Sequence, residues 1–365
     1  MKNLSERINW PLVVFVGVLL IVGIINLYSA LSTWEDGGHM RLFWSQIVWI
    51  GVGSLVALAL AIFDYRLLER MAYPIYGATV LLLVLVLFFG KETAGHRSWL
   101  GFAGFGIQPS EFAKVTVIFA LAKYFSDYPQ PDGFGLIDLI KPGLIASVPM
   151  VLVLLQGDFG SALFFVLFFI SYAWFAKMKR NVIVIALLVG ILGSFFSYYF
   201  IFSDYQKARF TTFLNPSYDV KGSGYHLMQS KIAVGSGMIW GKGYLKGSVN
   251  KLRYLPEKHT DFIFPVFAEE WGFAGCMALL ACYFILFTII INIARTARDR
   301  MGIFLTVGVG IHLLWQTVIN LGGVLGIMPL TGITLPFLSY GGSSIVSLMA
   351  TVGILLSVSR RRFMF

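Results

Sequence analysis

Leu255-Pro256-Glu257-Lys258-His259-Thr260-Asp261-Phe262-Ile263-Phe264 is the stretch on which the reading turns. Here a dense polar cluster runs directly into a long apolar segment. Upstream, 202–261 is polar and rich in glycine, and downstream an apolar helix is expected from Phe262. His259, Thr260 and Asp261 therefore sit where water, headgroup and hydrocarbon meet. A carboxylate at such a boundary is costly unless it has a partner or a role. Asp261 is expected to have a role.

Composition sets the wider frame. The 365 residues are 58% hydrophobic and only 13% charged, where a soluble chain carries about 25% charged residues. The mean hydropathy is +0.79. These values describe a polytopic membrane protein, one membrane domain over 1–365. The first apolar run, Pro11 to Ala30, is long enough to stay as an anchor, unlike the short core of a cleaved signal. Cys276 and Cys282 both fall in an apolar segment, which points to packing and not to a disulfide framework or metal site. The net charge of +10 fits cytoplasmic loops against anionic lipid, with no nucleic-acid partner.

A spanning helix needs about 20 mostly apolar residues. Ten such segments are expected, at 11–30, 43–63, 71–89, 110–125, 140–156, 159–176, 181–201, 262–294, 302–327 and 343–358. The fold is thus an all-α integral membrane protein of ten transmembrane helices, with a large extracytoplasmic loop, 202–261, between helices 7 and 8. Lys and Arg in short loops set the orientation. Arg66, Arg70, Lys177, Lys179, Arg180, Arg295, Arg298, Arg300 and Arg360 to Arg362 fall on one side, and only Arg41, Lys91 and Arg97 in the short loops of the other. Both termini are expected to be cytoplasmic. The long loop is basic as well, carrying Arg209, Lys231, Lys242 and Lys258 among others. Long loops translocate regardless of charge, and an anionic substrate at the outer surface accounts for the basicity. Gly222-Ser223-Gly224, Gly235-Ser236-Gly237 and Gly241-Lys242-Gly243 divide that loop into short amphipathic pieces lying on the membrane. Residues 326–344 are apolar but broken by Pro329, Gly332, Pro336, Gly341 and Gly342. Irregular backbone at membrane depth requires protein or water around it, so this stretch reads as a re-entrant or capping segment. No internal repeat is visible, which weighs against an inverted-repeat transporter.

Several side chains are candidates for chemistry. Glu111 and Lys114 share a helix face. Two readings stand for them: an interior substrate site, or a structural ion pair with Lys114 reaching to the interface. Gln108-Pro109-Ser110-Glu111 reads as a helix start with Ser110 as cap. Asp158 lies between Gly157 and Gly160, where a turn aspartate is the bland alternative. Asp261 fits a helix cap, and the helix N-terminus keeps it ionised, as a proton acceptor must be. His259 reads as a hydrogen-bonding residue. Glu269 and Glu270 point in different directions and read as structural or as polar lining. Arg97, near Trp99, is able to hold phosphate through both arms of its guanidinium. Metal spacings, phosphate-binding loops, dinucleotide fingerprints and nucleophile elbows are absent from the sequence, so energy must come from an activated substrate or a gradient.

The matching motifs are Gln108-Pro109-Ser110-Glu111-Phe112-Ala113-Lys114, Gln229 to Gly237, Gly241 to Leu245, Leu255 to Phe264, Ala268-Glu269-Glu270 and Leu330 to Ser344. With these the chain resembles the SEDS family (shape, elongation, division and sporulation), its RodA type more than its FtsW type. Gly157, where proline is usual, and Ser98, where Arg or Lys is common, depart from the pattern. The resemblance implies a peptidoglycan glycosyltransferase. It would polymerise lipid II at the outer face of the bacterial cytoplasmic membrane, beside a class B penicillin-binding protein that crosslinks the strands. It places the essential aspartate at Asp261, the Glu–Lys pair at Glu111 and Lys114, a further aspartate at Asp158 and the tryptophan at Trp99. Arg97, Arg209, Lys231, Lys242, His259 and Ser343 complete the expected substrate-binding set. Asp261 would take the proton of the acceptor's 4-hydroxyl as it attacks the anomeric carbon with inversion. The undecaprenyl diphosphate leaving group removes the need for ATP. A divalent cation, Mg or Mn, is able to share the charge, although no dedicated metal site is visible. The competing readings are a lipid II flippase, an FtsW-type division polymerase, and a scaffold that only recruits its partner.

Overall fold

The structure is a computed structural model that describes residues 8–32, 38–93, 96–102, 105–200, 207, 213, 223–248 and 259–361. Eleven helices lie among the described residues. They are α1 (Trp10–Leu31), α2 (Gly38–Ile62), α3 (Tyr65–Phe89), α4 (Pro109–Asp127), α5 (Ile140–Leu155) and α6 (Phe159–Phe175). After these come α7 (Arg180–Phe200), α8 (Ser223–Ser236), α9 (Ile263–Arg295), α10 (Arg300–Leu325) and α11 (Gly342–Arg361). Each expected span corresponds to one helix, and α8 is the amphipathic piece of the 202–261 region. Six of them, α1, α2, α3, α9, α10 and α11, are long and apolar enough to cross a membrane. The protein is an integral membrane protein, mostly helical.

The helices are not all equivalent. α1, α2 and α3 turn Ile21, Val52, Leu55, Leu81 and Phe88 outward, as lipid-facing surfaces do when the surrounding solvent is itself apolar. α4 is the reverse. From Pro109 to Phe125 almost every side chain is buried, although this is the span that carries the most charged residues, Glu111, Lys114 and Lys123. Glu111 and Lys114 explain the placement, since ionisable side chains at membrane depth must be surrounded by protein and not by lipid. α3 and α10 flank α4, α5 packs on α6, and α11 lies along α2. The α2–α11 contact is close because Gly353 meets the Ala57 backbone, and small residues let helices approach.

Two features depart from the sequence-based expectation. The fold is not wholly helical: β1 (Lys91–Thr93), β2 (His96–Phe102) and β3 (Phe105–Ile107) form an antiparallel sheet in that order. Trp99 pairs with Lys91, and Gly101 with Gly106. A glycine-rich, aromatic loop that must return the chain from α3 to α4 satisfies its backbone most cheaply as two hairpins. The other departure is in α9. Its 33 residues would run about 50 Å at 1.5 Å per residue, well beyond a hydrocarbon core of about 30 Å. The helix is interrupted at Gly272, with φ 65° and ψ −166°. The 238–243 backbone is sewn onto the break: Phe273 N–H donates to Met238 O at 2.8 Å and Gly243 N–H to Glu270 O at 3.0 Å.

Candidate functional site

The expected site residues gather at one end of the bundle, where α4, α6, α9 and α11 begin and α10 finishes. α9 starts at Ile263 with Phe262 as its cap residue, so Asp261 is not the cap that its position suggested. It lies in the turn before it. A side chain at Gly332 would put its Cβ 3.5 Å from Asp261 Oδ2, so the carboxylate faces the exposed Gly332 backbone. Thr331, next to it, presses on Gly160 so closely that any side chain there would collide with the Thr331 carbonyl. Asp158 stands two residues earlier and caps α6, its Oδ1 accepting from Ser161 N–H at 3.0 Å. Its Oδ2 also accepts from Gln108 Nε2 at 3.4 Å, and Gln108 N–H donates to Ser343 Oγ at 3.0 Å. Ser343, Gln108, Asp158, Gly160, Thr331, Gly332 and Asp261 thus form one connected chain of neighbours drawn from five parts of the sequence.

Gln108, not Ser110, is the cap residue of α4, with Pro109 at its first position. Proline suits that position because its missing N–H has no partner there in any case. Ser110 is then inside the helix and buried. One turn on, Lys114 Nζ meets Glu111 Oε1 at 2.7 Å, both side chains buried. The amine also lies 5.3 Å from the Phe164 ring centre, and the His312 ring is 5.2 Å from the same Phe164. Lys114 does not reach toward the interface.

The irregular 326–341 segment is held by protein side chains, as backbone at membrane depth must be. Tyr283 Oη donates to Pro336 O at 2.6 Å. Gln46 spans the far end, donating to Ser339 O at 3.3 Å and accepting from Gly341 N–H at 3.2 Å. Asn320 Nδ2 donates to Asp261 O at 3.0 Å and to Ile333 O at 2.8 Å. Ser339 Oγ donates to Thr260 O at 2.7 Å, and Tyr340 N–H to His259 O at 2.9 Å. His259 also packs its ring on Tyr340, with centroids 5.9 Å apart.

The remaining candidates divide. Arg97 is exposed on β2, and its N–H donates to Gln156 O at 3.1 Å. Trp99 covers Gly106 within the small sheet. Lys242 has a partner of its own: its Nζ is 2.6 Å from Glu269 Oε1, which also accepts from Ser248 N–H at 2.8 Å. Glu270 accepts from the Ser29 hydroxyl. Both glutamates are thereby structural, anchoring the 242–248 loop and α1. Lys231 lies over Gly326 at the C-terminal end of α10, where a positive charge is favoured. Arg209 lies outside the described residues. Sequence reasoning passed over Asn320, Gln316, His312 and Ser339. Polar residues at 312, 316 and 320 in an apolar helix were the available signal, for that spacing makes one stripe.

The sequence profile described as "cell cycle protein", covering FtsW, RodA and SpoVE, matches residues 9–363. The chain belongs to the FtsW/RodA/SpoVE family. Peptidoglycan glycosyltransferase MrdB of Escherichia coli K12 is 35% identical over 359 residues, 95% of this chain and 94% of that one. Among solved structures, a chain of a peptidoglycan synthase complex studied for its coordination of polymerisation and crosslinking superposes with a TM-score of 0.83. It is 32% identical, covering 98% of this chain and 99% of that one. The rod shape determining protein RodA of Thermus thermophilus superposes at 0.72, 31% identical, covering 98% of each chain. The family's motifs and the connected neighbours around Asp261 coincide: 108–114, 259–264 and 330–344 are the segments that meet at this end of the bundle.

Proposed function

We propose that the chain is a peptidoglycan glycosyltransferase of the RodA type, which polymerises lipid II at the outer face of the bacterial cytoplasmic membrane, with Asp261 as its general base. The observation that carries the reading is the setting of Asp261: a partly exposed carboxylate beside the side-chain-free edge of Gly332, at the end of the bundle where the family's motifs converge. Ten of the eleven described helices, all but α8, are read as spans. The ends rich in Lys and Arg, at Arg66, Lys177, Arg180, Arg295, Arg298 and Arg360, are read as cytoplasmic, which puts Asp261 outside. The 4-hydroxyl of an acceptor GlcNAc gives its proton to Asp261. Its oxygen bonds to the anomeric carbon of the donor with inversion, and the bond to the diphosphate breaks. Arg97, in the loop on the same side, and Lys231 supply positive charge toward that diphosphate. Among the described residues no three His, Cys, Asp or Glu side chains gather as a ready-made cation site; a divalent cation, Mg or Mn, would add to this positive charge when bound. A class B penicillin-binding protein is the expected partner for crosslinking, and rod elongation the expected context.

The test is polymerisation of purified lipid II by the solubilised protein, alone and with its partner, for wild type and Asp261→Asn. Glycan strands from wild type and a loss of at least about 100-fold in the variant are expected, within the range for a general base. Wild-type rates from Asp261→Asn would sink the reading. The buried stripe of His312 and Gln316 on α10, whose side-chain nitrogens and oxygen have no hydrogen-bond partner among the described residues, favours a second reading, a lipid II flippase. Headgroup translocation in liposomes by a polymerisation-dead Asp261→Asn protein would support it.

A further inference from the structure

The turn that carries Asp261 has no regular secondary structure of its own to hold it. Its three successive carbonyls, at His259, Thr260 and Asp261, are each taken by a donor distant in sequence: Tyr340 N–H at 2.9 Å, Ser339 Oγ at 2.7 Å and Asn320 Nδ2 at 3.0 Å. Two of the three donors are side chains, and each makes a second bond into the segment that faces the carboxylate. Asn320 also donates to Ile333 O at 2.8 Å, one residue from Gly332. Ser339 Oγ also accepts from Leu335 N–H at 2.9 Å. Asn320 is 4% exposed and Ser339 5%, so water does not readily replace either. One amide group therefore spans both walls of the gap between Asp261 and Gly332.

We propose that Asn320 and Ser339 are positioning residues for Asp261, setting the distance between its carboxylate and the Thr331–Gly332 backbone and so the place the acceptor hydroxyl occupies. The inference rests on Asp261 being the base. A proton acceptor must stand within hydrogen-bond reach of the proton it removes, and a displacement of about 1 Å costs on the order of 100-fold in rate. The turn's carbonyls are the handle by which the rest of the fold steers that carboxylate.

The experiment compares Asn320→Leu, Asn320→Gln, Ser339→Ala and Asp261→Asn in lipid II polymerisation with the partner present, normalised to monodisperse protein. Asn320→Leu is expected to lower kcat about 10- to 100-fold with KM unchanged. Asn320→Gln, which keeps the amide on a longer arm, should recover part of that loss, and Ser339→Ala should lower kcat about 3- to 10-fold. A purely structural role would reduce the yield of folded protein without a selective fall in kcat. If Asp261→Asn is inactive while Asn320→Leu keeps wild-type kcat, the positioning inference falls and the catalytic reading stands. If Asp261→Asn is active, both fall. If Asn320→Leu is not recovered folded, an undiminished kcat for Ser339→Ala overturns the inference on its own.

Discussion

Lys114 and Glu111 show how a buried pair constrains the chain around it. At 2.7 Å, with both side chains hidden, each charge is tolerated only because of the other. Removing one partner leaves an uncompensated buried charge, which costs about 3–5 kcal/mol, whereas replacing both by apolar groups is often close to neutral. Lys114→Met alone is therefore expected to lower the melting temperature sharply in detergent. Lys114→Met with Glu111→Leu should regain most of that loss. Polymerisation by the double variant then separates a structural pair from a substrate site: stability restored with activity absent assigns the pair to substrate. A double variant as unstable as the single one would show that the cost is not electrostatic.

At the scale of elements, the interruption of α9 is the feature on which neighbours depend. Gly272 sits in a backbone region that is essentially restricted to glycine, and a residue forced into it costs about 1–3 kcal/mol. A Cβ there would also stand 2.7 Å from Ile239 O. Gly272→Ala should lower the melting temperature by several degrees and open 237–248 to protease. A Cβ at Gly235 on α8 would meet nothing within 4 Å, and alanine is favoured over glycine in a helix by up to about 1 kcal/mol. Gly235→Ala should therefore be neutral or slightly stabilising. Equal losses for the two variants would remove the break as their cause.

Across the whole molecule, the two ends of the bundle are built from different materials. The end opposite Asp261 is tied by charge: Arg361 Nε to Asp64 at 3.2 Å, Tyr65 Oη to Asp299 at 2.8 Å, and Arg360 to Ile62 O at 2.7 Å. The Asp261 end holds ion pairs too, Lys114–Glu111 and Lys242–Glu269, but the irregular backbone around Asp261 itself is held by the neutral groups of Asn320 and Ser339. The first arrangement suits a face in contact with cytoplasm and anionic lipid, the second a face that admits a bulky substrate. With Cys276 and Cys282 replaced, Arg97→Cys in intact cells should react with a membrane-impermeant maleimide, and Lys179→Cys only after permeabilisation. The reverse pattern would invert the proposed orientation and remove Asp261 from the outer face.

The sequence by itself determined where the apolar helices fall, because a hydrocarbon core demands a run of apolar residues and such runs are visible without tertiary context. The candidacy of Asp261, Asp158, Glu111 and Lys114 was legible for a related reason, since ionisable groups are conspicuous against an apolar background. Their partners were not. Asn320 reaches Asp261 across 59 residues and Ser339 reaches Thr260 across 79, and no local periodicity encodes a bond between segments so far apart. Lys242 was expected in the substrate-binding set, and its pairing with Glu269 across 27 residues was not visible in the sequence. The sheet at 91–107 and the interruption at Gly272 were likewise settled by closure: the first by the need to satisfy a returning backbone, the second by the docking of 238–243 against α9. Which helices face lipid and which face protein was decided only by tertiary packing, because burial of the Glu111–Lys114 pair required the span that carries it to be surrounded by other helices.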